Sequence, residues 1–233
     1  MVCGVFYRSP RFICERFAVT NEAPLLTDLQ VDALTELVNI GVSRAAASLR
    51  QMVGRQVVLS VPSIEVTSRS TAAALMTERE LGPLVTVSQT FTGGFSGRAM
   101  LIFPEANSLA LARAVTGDGF APEELQDFEE EALRETGNVV LTNCLATMAN
   151  MLREPLEMSI PAVAREQANS LFEDEVGSTT GAVLFLYINF LVSDRDIRGY
   201  IALLMDLPSL EALRSVVSDF ILRVLGQPHS IRA

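Results

Sequence analysis

The 233-residue chain has no lysine, no tryptophan, a single histidine and three cysteines. All 18 basic residues are arginines. A P-loop lysine, a Schiff-base lysine and a kinase-type ATP lysine are therefore excluded, since each needs an amine. The one histidine, His229, lies in the C-terminal tail, which argues against Ser-His-Asp catalysis, histidine general-base chemistry and multi-histidine metal sites. Cys3, Cys14 and Cys144 show no CxxC spacing, a usage that fits a reduced, cytoplasmic compartment. Arg8, Pro10, Arg11, Glu15 and Arg16 break up the apolar residues of the N-terminal segment, so no signal-peptide hydrophobic region is expected. The longest strongly apolar run, Gly181 to Val192, falls short of the about 20 residues that span a bilayer. Its aromatic and β-branched content predicts a buried strand, with no membrane insertion.

What is abundant is apolar and acidic. Hydrophobic residues make up 49% of the chain, ample for a packed core, and the net charge is −10 with a pI near 4.7. That charge argues against binding nucleic acid or an anionic membrane surface. The expected partner offers a basic surface or a metal-containing site.

One pattern occurs twice, 99 residues apart: an acidic residue, three residues, Glu, two residues, Asn, then Pro 23 positions on. The copies are Asp32, Glu36, Asn39 with Pro62, and Glu131, Glu135, Asn138 with Pro161. A lone Glu-x-x-Asn says little, because amphipathic helices routinely expose carboxylates and amides. With Pro at about 5% of average proteins, its recurrence at one fixed offset in both copies has a chance likelihood of roughly 0.3%. An internal duplication is the reading that follows.

Each half then reads as a long helix, a strand near the motif proline, a polar loop, further strands and a shorter helix. Thr27 or Asp28 is positioned to cap a helix running to about Val53, which Gly54 ends. Gln56 to Val66 is β-rich, with Pro62 implying an edge, a bulge or a bend. Strands are expected at 84–91 and 98–103, and a short helix at 106–115. The acidic run from Pro122 to Glu131 opens the second long helix, where negative charge suits the helix dipole. Strands at 156–160, 183–192 and 199–205 and a helix at 208–225 complete the chain. Residues 1–25 are expected to be a flexible extension and 227–233 a tail. The domain itself is expected over 26–226, with halves at about 26–121 and 122–226.

At about 100° per residue, Asp32, Glu36 and Asn39 lie within roughly 60° of arc, a single stripe that Ser43 and Arg50 continue. Leu34, Leu37, Gly41, Ala45 and Met52 fall on the opposite, core side. In the second helix Glu131, Glu135, Asn138 and Thr142 share one face, and Leu133, Val140, Cys144 and Met151 the other, with Leu145 on the polar side. Neither stripe offers an activated nucleophile, a histidine base or a metal-ligand set. An Asn amide can, however, orient a water for in-line attack on phosphorus, and positioning is a large part of phosphoryl-transfer catalysis. A Glu can anchor a substrate through a basic side chain. The pair suits a substrate that brings its own metal and phosphoryl group.

The motif and its offset proline, present twice, resemble the CheC family of response-regulator phosphatases, related to CheX and the flagellar switch protein FliY. Glu36-Leu37-Val38-Asn39-Ile40-Gly41 followed by Ala45-Ala46 is similar to that family's first long helix, and Leu133-Arg134-Glu135-Thr136-Gly137-Asn138 to its second, over roughly residues 27–225. The resemblance implies an α+β domain with pseudo-two-fold symmetry, two long motif-bearing helices lying on a largely antiparallel sheet. It implies hydrolysis of the aspartyl phosphate of a CheY-like response regulator in chemotaxis or related two-component signalling. Asn39 and Asn138 would position the attacking water, Glu36 and Glu135 would bind the regulator's active-site lysine, and Asp32, Pro62, Glu131 and Pro161 would support the motif. No cofactor is expected on this chain, the Mg²⁺ being the regulator's. CheD, which some family members bind, is a second candidate partner. The competing reading is a non-catalytic module: a regulator- or CheD-binding adaptor, or a flagellar-switch component. Two positions depart from the family pattern, Glu131 at the second acidic position and Val38 where Gly is common. Glu131 counts against the second site and Val38 against the first, and the first is still ranked slightly above the second.

Overall fold

The computed structural model describes residues 26–61, 64–116, 122–172, 181–192 and 195–226. The expected N-terminal extension, the C-terminal tail and Pro62 lie outside them. Thr27 caps the first long helix, α1 (Asp28–Val53). Its hydroxyl accepts from the Gln30 backbone N–H, while the Gln30 side chain accepts from the Thr27 N–H. This capping box satisfies two donors that a first helical turn leaves open. The helix ends at Gly54 with φ 65°, a left-handed conformation natural to glycine. Leu34, Leu37, Gly41 and Ala45 are buried as the periodicity predicts. Met52 is 42% exposed instead: it sits in the last turn, beyond Leu49, the last buried residue of the helix.

The β-rich stretch that follows is two strands, β1 (Val57–Ser60) and β2 (Ile64–Ser68). After them comes a helix, α2 (Arg69–Arg79), where a polar loop was expected. The hydroxyl-rich start is a cap: the Ser68 hydroxyl accepts from the Thr71 N–H at 3.1 Å. Ala72 and Met76, one turn apart, are buried in good helix-forming sequence. The half closes with β3 (Leu84–Gly93), β4 (Gly97–Pro104) and α3 (Glu105–Thr116). In the second half α4 (Pro122–Leu152) leads to β5 (Leu156–Met158) and to β6 (Ala162–Glu166), a short strand that the sequence did not announce. Then come β7 (Ala182–Val192), β8 (Arg195–Met205) and α5 (Leu207–Leu225), the last capped by Asp206.

One sheet runs β1-β7-β8-β4-β3-β5, with β2 also on β7 and β6 also on β3. Every pairing is antiparallel. The apolar run read as a buried strand is β7, inside this order. Each half lends its outer strands to the other half's hairpin, and the registers repeat. Val57 pairs with Val192; adding 99 to the first number and subtracting it from the second gives Leu156 and Gly93, which also pair. The same operation carries Ile64 and Leu186 onto Val163 and Val87. In the second half the ladder breaks at the motif proline. Three residues, Ser159, Ile160 and Pro161, face only Gln89 and Thr90 between the pairs Phe91 with Met158 and Ser88 with Ala162. A proline inside a ladder needs such a bulge, because it has no N–H to donate.

Helices α1, α3, α4 and α5 cover one face of the sheet, and α2 lies on the other. Along β3 the core face is read by Val85, Val87, Gln89 and Phe91, and along β7 by Leu184, Leu186 and Ile188. Leu145, expected on a polar side, is fully buried, because α4 packs against both α1 and α3 and has little free surface left. At the α1–α4 contact a Cβ on Gly41 would stand 2.8 Å from the Cys144 Cα, so the approach of the two helices depends on that glycine. Where α4 meets the sheet, a Cβ on Gly137 would overlap the Val87 side chain.

Candidate functional site

The two stripes emerge on the paired helices as the periodicity requires. On α1, Asp32, Glu36 and Ser43 are exposed and Asn39 is half-buried. Glu36, Asn39, Ile40, Ser43, Arg44 and Ala47 line an open depression of ≈ 400 Å³. Arg44 reaches across to α4, where its Nη1 donates to Thr147 Oγ1 at 3.3 Å. Among the described residues no salt bridge holds Asp32 or Glu36, so both carboxylates of the first stripe are open to an incoming cation.

On α4, Glu131 and Glu135 are exposed and Asn138 half-buried. Here the surroundings differ. Arg134 pairs with Glu131 and, at 2.7 Å, with Glu130, which leaves Glu135 as the stripe's unpaired carboxylate among the described residues. The Asn138 Oδ1 accepts from Thr142 Oγ1 at 3.2 Å and from Gln89 Nε2 at 3.4 Å. Gln89 is 3% exposed, and its Nε2 also donates to the Ser159 carbonyl at 3.0 Å. Ser159 is itself pinned to Thr90 by two bonds, N–H to carbonyl at 2.9 Å and Thr90 N–H to Ser159 Oγ at 3.0 Å. The proline bulge thus supplies the carbonyl that holds Gln89, and Gln89 touches the motif asparagine. Pro161 is half-buried beside this carbonyl, two positions from Ser159.

The family departure at Val38 has a packing role. Val38 is 2% exposed and belongs to the main core, so its β-branch meets the protein interior. Its counterpart Gly137 lies on the sheet-facing side of α4, where Val87 leaves no room for a side chain. Cys144 is wholly buried, and that burial pushes its thiol up to about 12, which keeps it protonated and inert at neutral pH. Among the described residues no three His, Cys, Asp or Glu side chains gather as a metal-holding group, and no helix is long and apolar enough to cross a membrane.

Gln89 was missed by the sequence reading, although a signal for it exists. It is the one polar residue in the alternating file Val85, Val87, Gln89, Phe91, and a polar residue on a core face calls for a specific partner. The position related to it by 99 residues is Ile188, buried and apolar.

Residues 85–185 match the family model described as chemotaxis phosphatase CheX, a stretch from β3 through the whole of α4 into β7. The flagellar motor switch phosphatase FliY of Bacillus subtilis is 26% identical over 140 residues, 59% of this chain and 36% of that protein. The chain therefore spans about a third of the length of that relative. The CheY-P phosphatase CheC of the same organism is 23% identical over 148 residues, 62% of this chain and 70% of that protein. In fold the chain is similar to Thermotoga maritima FliY, with a TM-score of 0.66 at 18% identity over 84% of this chain and 98% of that one. It is also similar to the FliM middle domain of H. pylori, with a TM-score of 0.55 at 11% identity over 82% and 99%. With the motif carried twice on paired helices, these matches converge: the chain is similar in sequence to chemotaxis phosphatases of the CheC, CheX and FliY kind and in fold to FliY.

Proposed function

We propose that this chain is a phosphatase of a phosphorylated CheY-like response regulator, acting from the two helix stripes on α1 and α4. The observation that carries the reading is the pairing, in each stripe, of an exposed Glu with a half-buried Asn three residues on. The names of two curated relatives, FliY and CheC of Bacillus subtilis, both phosphatases, supply the reaction class. In each stripe the Glu, Glu36 or Glu135, anchors the regulator through its active-site lysine. The Asn, Asn39 or Asn138, donates from its amide to a water and aligns it with the phosphorus. The water oxygen bonds to phosphorus, the bond to the aspartyl oxygen breaks with its electrons, and the aspartate leaves as a carboxylate. The water's proton passes to the departing phosphate or to solvent. The regulator would hold the Mg²⁺ that supplies charge neutralisation at the phosphoryl oxygens, and this chain contributes position and exclusion of misaligned water.

The test is the decay of a phosphorylated CheY-like regulator in Mg²⁺ with and without the chain. Acceleration is expected, and Asn39→Ala combined with Asn138→Ala is expected to abolish it. The folded signal is expected to persist with a loss of about 1 kcal/mol per site, because both asparagines are half-buried and Asn138 accepts hydrogen bonds from Gln89 and Thr142. Full acceleration by the double variant would sink the mechanism.

A further inference from the structure

We propose that Gln89 is a positioning residue of the second site, fixing Asn138 with its amide nitrogen turned outward; in its consequence for activity the inference rests on the phosphatase reading above. The argument follows from which atoms can donate. A backbone carbonyl only accepts, so the end of Gln89 that meets the Ser159 carbonyl at 3.0 Å is its NH2 group. The second N–H of that same group needs an acceptor, and the atom it meets at 3.4 Å is the Asn138 Oδ1. The Thr142 hydroxyl donates to the same oxygen at 3.2 Å. Both lone pairs of Oδ1 are thus in use, and the group left to face a ligand is the Asn138 Nδ2, a donor of the kind that holds a water by its oxygen.

A purely structural reading of Gln89 fits poorly. The residue sits in the apolar file of Val85, Val87 and Phe91, and its own Oε1 is buried with no hydrogen-bond partner among the described residues. A buried, unpartnered oxygen destabilises a fold, so an apolar residue would serve the core better, as Ile188 does at the related position in β7. What Gln89 alone provides is the link from the proline bulge to the asparagine. At the first site Ser43 stands where Thr142 stands at the second, but no hydrogen bond to the Asn39 side chain is present among the described residues, and no amide occupies position 188. The second asparagine is held from beneath and the first is not. The second site is therefore the pre-organised one, the reverse of the order expected from the sequence.

The test uses the full chain with Gln89→Met, a change of similar shape that removes the donor, and Gln89→Leu as a second variant should the first fail to fold. Thermal melting is expected to be unchanged or raised. By NMR, the order parameter of the Asn138 side-chain NH2 is expected to exceed that of Asn39 in the native chain and to fall to the Asn39 level in Gln89→Met. Equal order in the native chain, or no fall in the variant, overturns the proposal whether or not the protein is a phosphatase. In the activity arm, Gln89→Met in an Asn39→Ala background is expected to lower kcat by ~10–10²-fold with KM nearly constant, the loss a misplaced catalytic group produces. In an Asn138→Ala background it is expected to add nothing. Equal losses in the two backgrounds mean a general packing effect and overturn the inference. A native chain with no acceleration at all sinks the phosphatase reading instead, and the NMR comparison then decides the positioning role by itself.

Discussion

The two motif helices share a frame and differ in what lies beneath it. Both carry an acidic residue, Glu and Asn in one stripe, and both face strands whose registers repeat at the same 99-residue interval. Yet α1 presents open carboxylates beside a depression of ≈ 400 Å³, whereas α4 has an arginine on its first carboxylate and a buried glutamine behind its asparagine. An identical surface pattern can therefore be prepared differently from below. The element that makes the difference is a strand residue 49 positions away from Asn138, which no reading of the helix face alone would reveal.

The sharpest way to break the comparison is at positions 38 and 137, where the two helices carry Val and Gly. Gly137→Val would drive two methyl groups into the Val87 side chain, and such overpacking typically costs ~1–3 kcal/mol, with the upper end expected here because Val87 is fully buried. Val38→Gly is expected to cost ~2 kcal/mol for the opposite reason, a lost buried side chain in a helix interior. Denaturant melts measure both. If Gly137→Val is neutral, α4 does not lie as close to β3 as the structure has it, and the contact between Gln89 and Asn138 loses its basis.

A smaller effect separates Ala45 on α1 from Cys144 on α4. The Cys144 thiol is pushed up to about 12 by burial, while an unfolded thiol titrates near ~8.5. Between those values the unfolded chain loses the proton and the folded chain keeps it, so stability falls as pH rises above the unfolded value. It is fully present below that value. The loss expected at pH 10 is about 2 kcal/mol relative to the ionisation-free reference. Cys144→Ala, which copies the α1 residue, should flatten that part of the stability profile whatever it does at pH 7. Equal slopes for the two proteins between pH 8 and 10 would mean that the thiol reaches solvent in the folded state.

Much of the frame was legible because it rests on local signals. Thr27 and Gly54 mark helix ends through their own side chains or backbone freedom, the apolar, β-branched run of β7 announces a buried strand, and the stripes on α1 and α4 follow from a simple period. The paired Glu and Asn of each stripe were legible for the same reason. What escaped depended on distant partners. The start of α2 looks like a loop because Ser68 and Thr71 are capping residues, and β6 is too short and polar to announce itself before β3 pairs with it. Leu145 seemed misplaced until α3 and the sheet enclosed α4 from other sides. Gln89 was the costliest omission for the site. Its meaning needs three segments at once: the strand that carries it, the bulge that bonds it and the helix it touches.

The smallest expected difference is at Arg134, whose counterpart on α1 is Thr35. The Thr35 hydroxyl donates back to the Val31 carbonyl at 2.8 Å and touches no carboxylate among the described residues, whereas Arg134 spans Glu130 and Glu131 on the α4 surface. Ion pairs exposed on a helix contribute only ~0.3–0.5 kcal/mol, so Arg134→Ala should leave the melting midpoint nearly unchanged. If the pair merely occupies Glu131, its removal should also leave the second site's KM for the phosphorylated regulator within about twofold, the equivalent of that energy. A larger drop in KM that disappears in high salt would show that Arg134 screens Glu135 from the regulator's lysine. In that case α4 is the better aligned of the two sites and the less attractive to its partner, and α1 and α4 divide the work of capture and alignment between them.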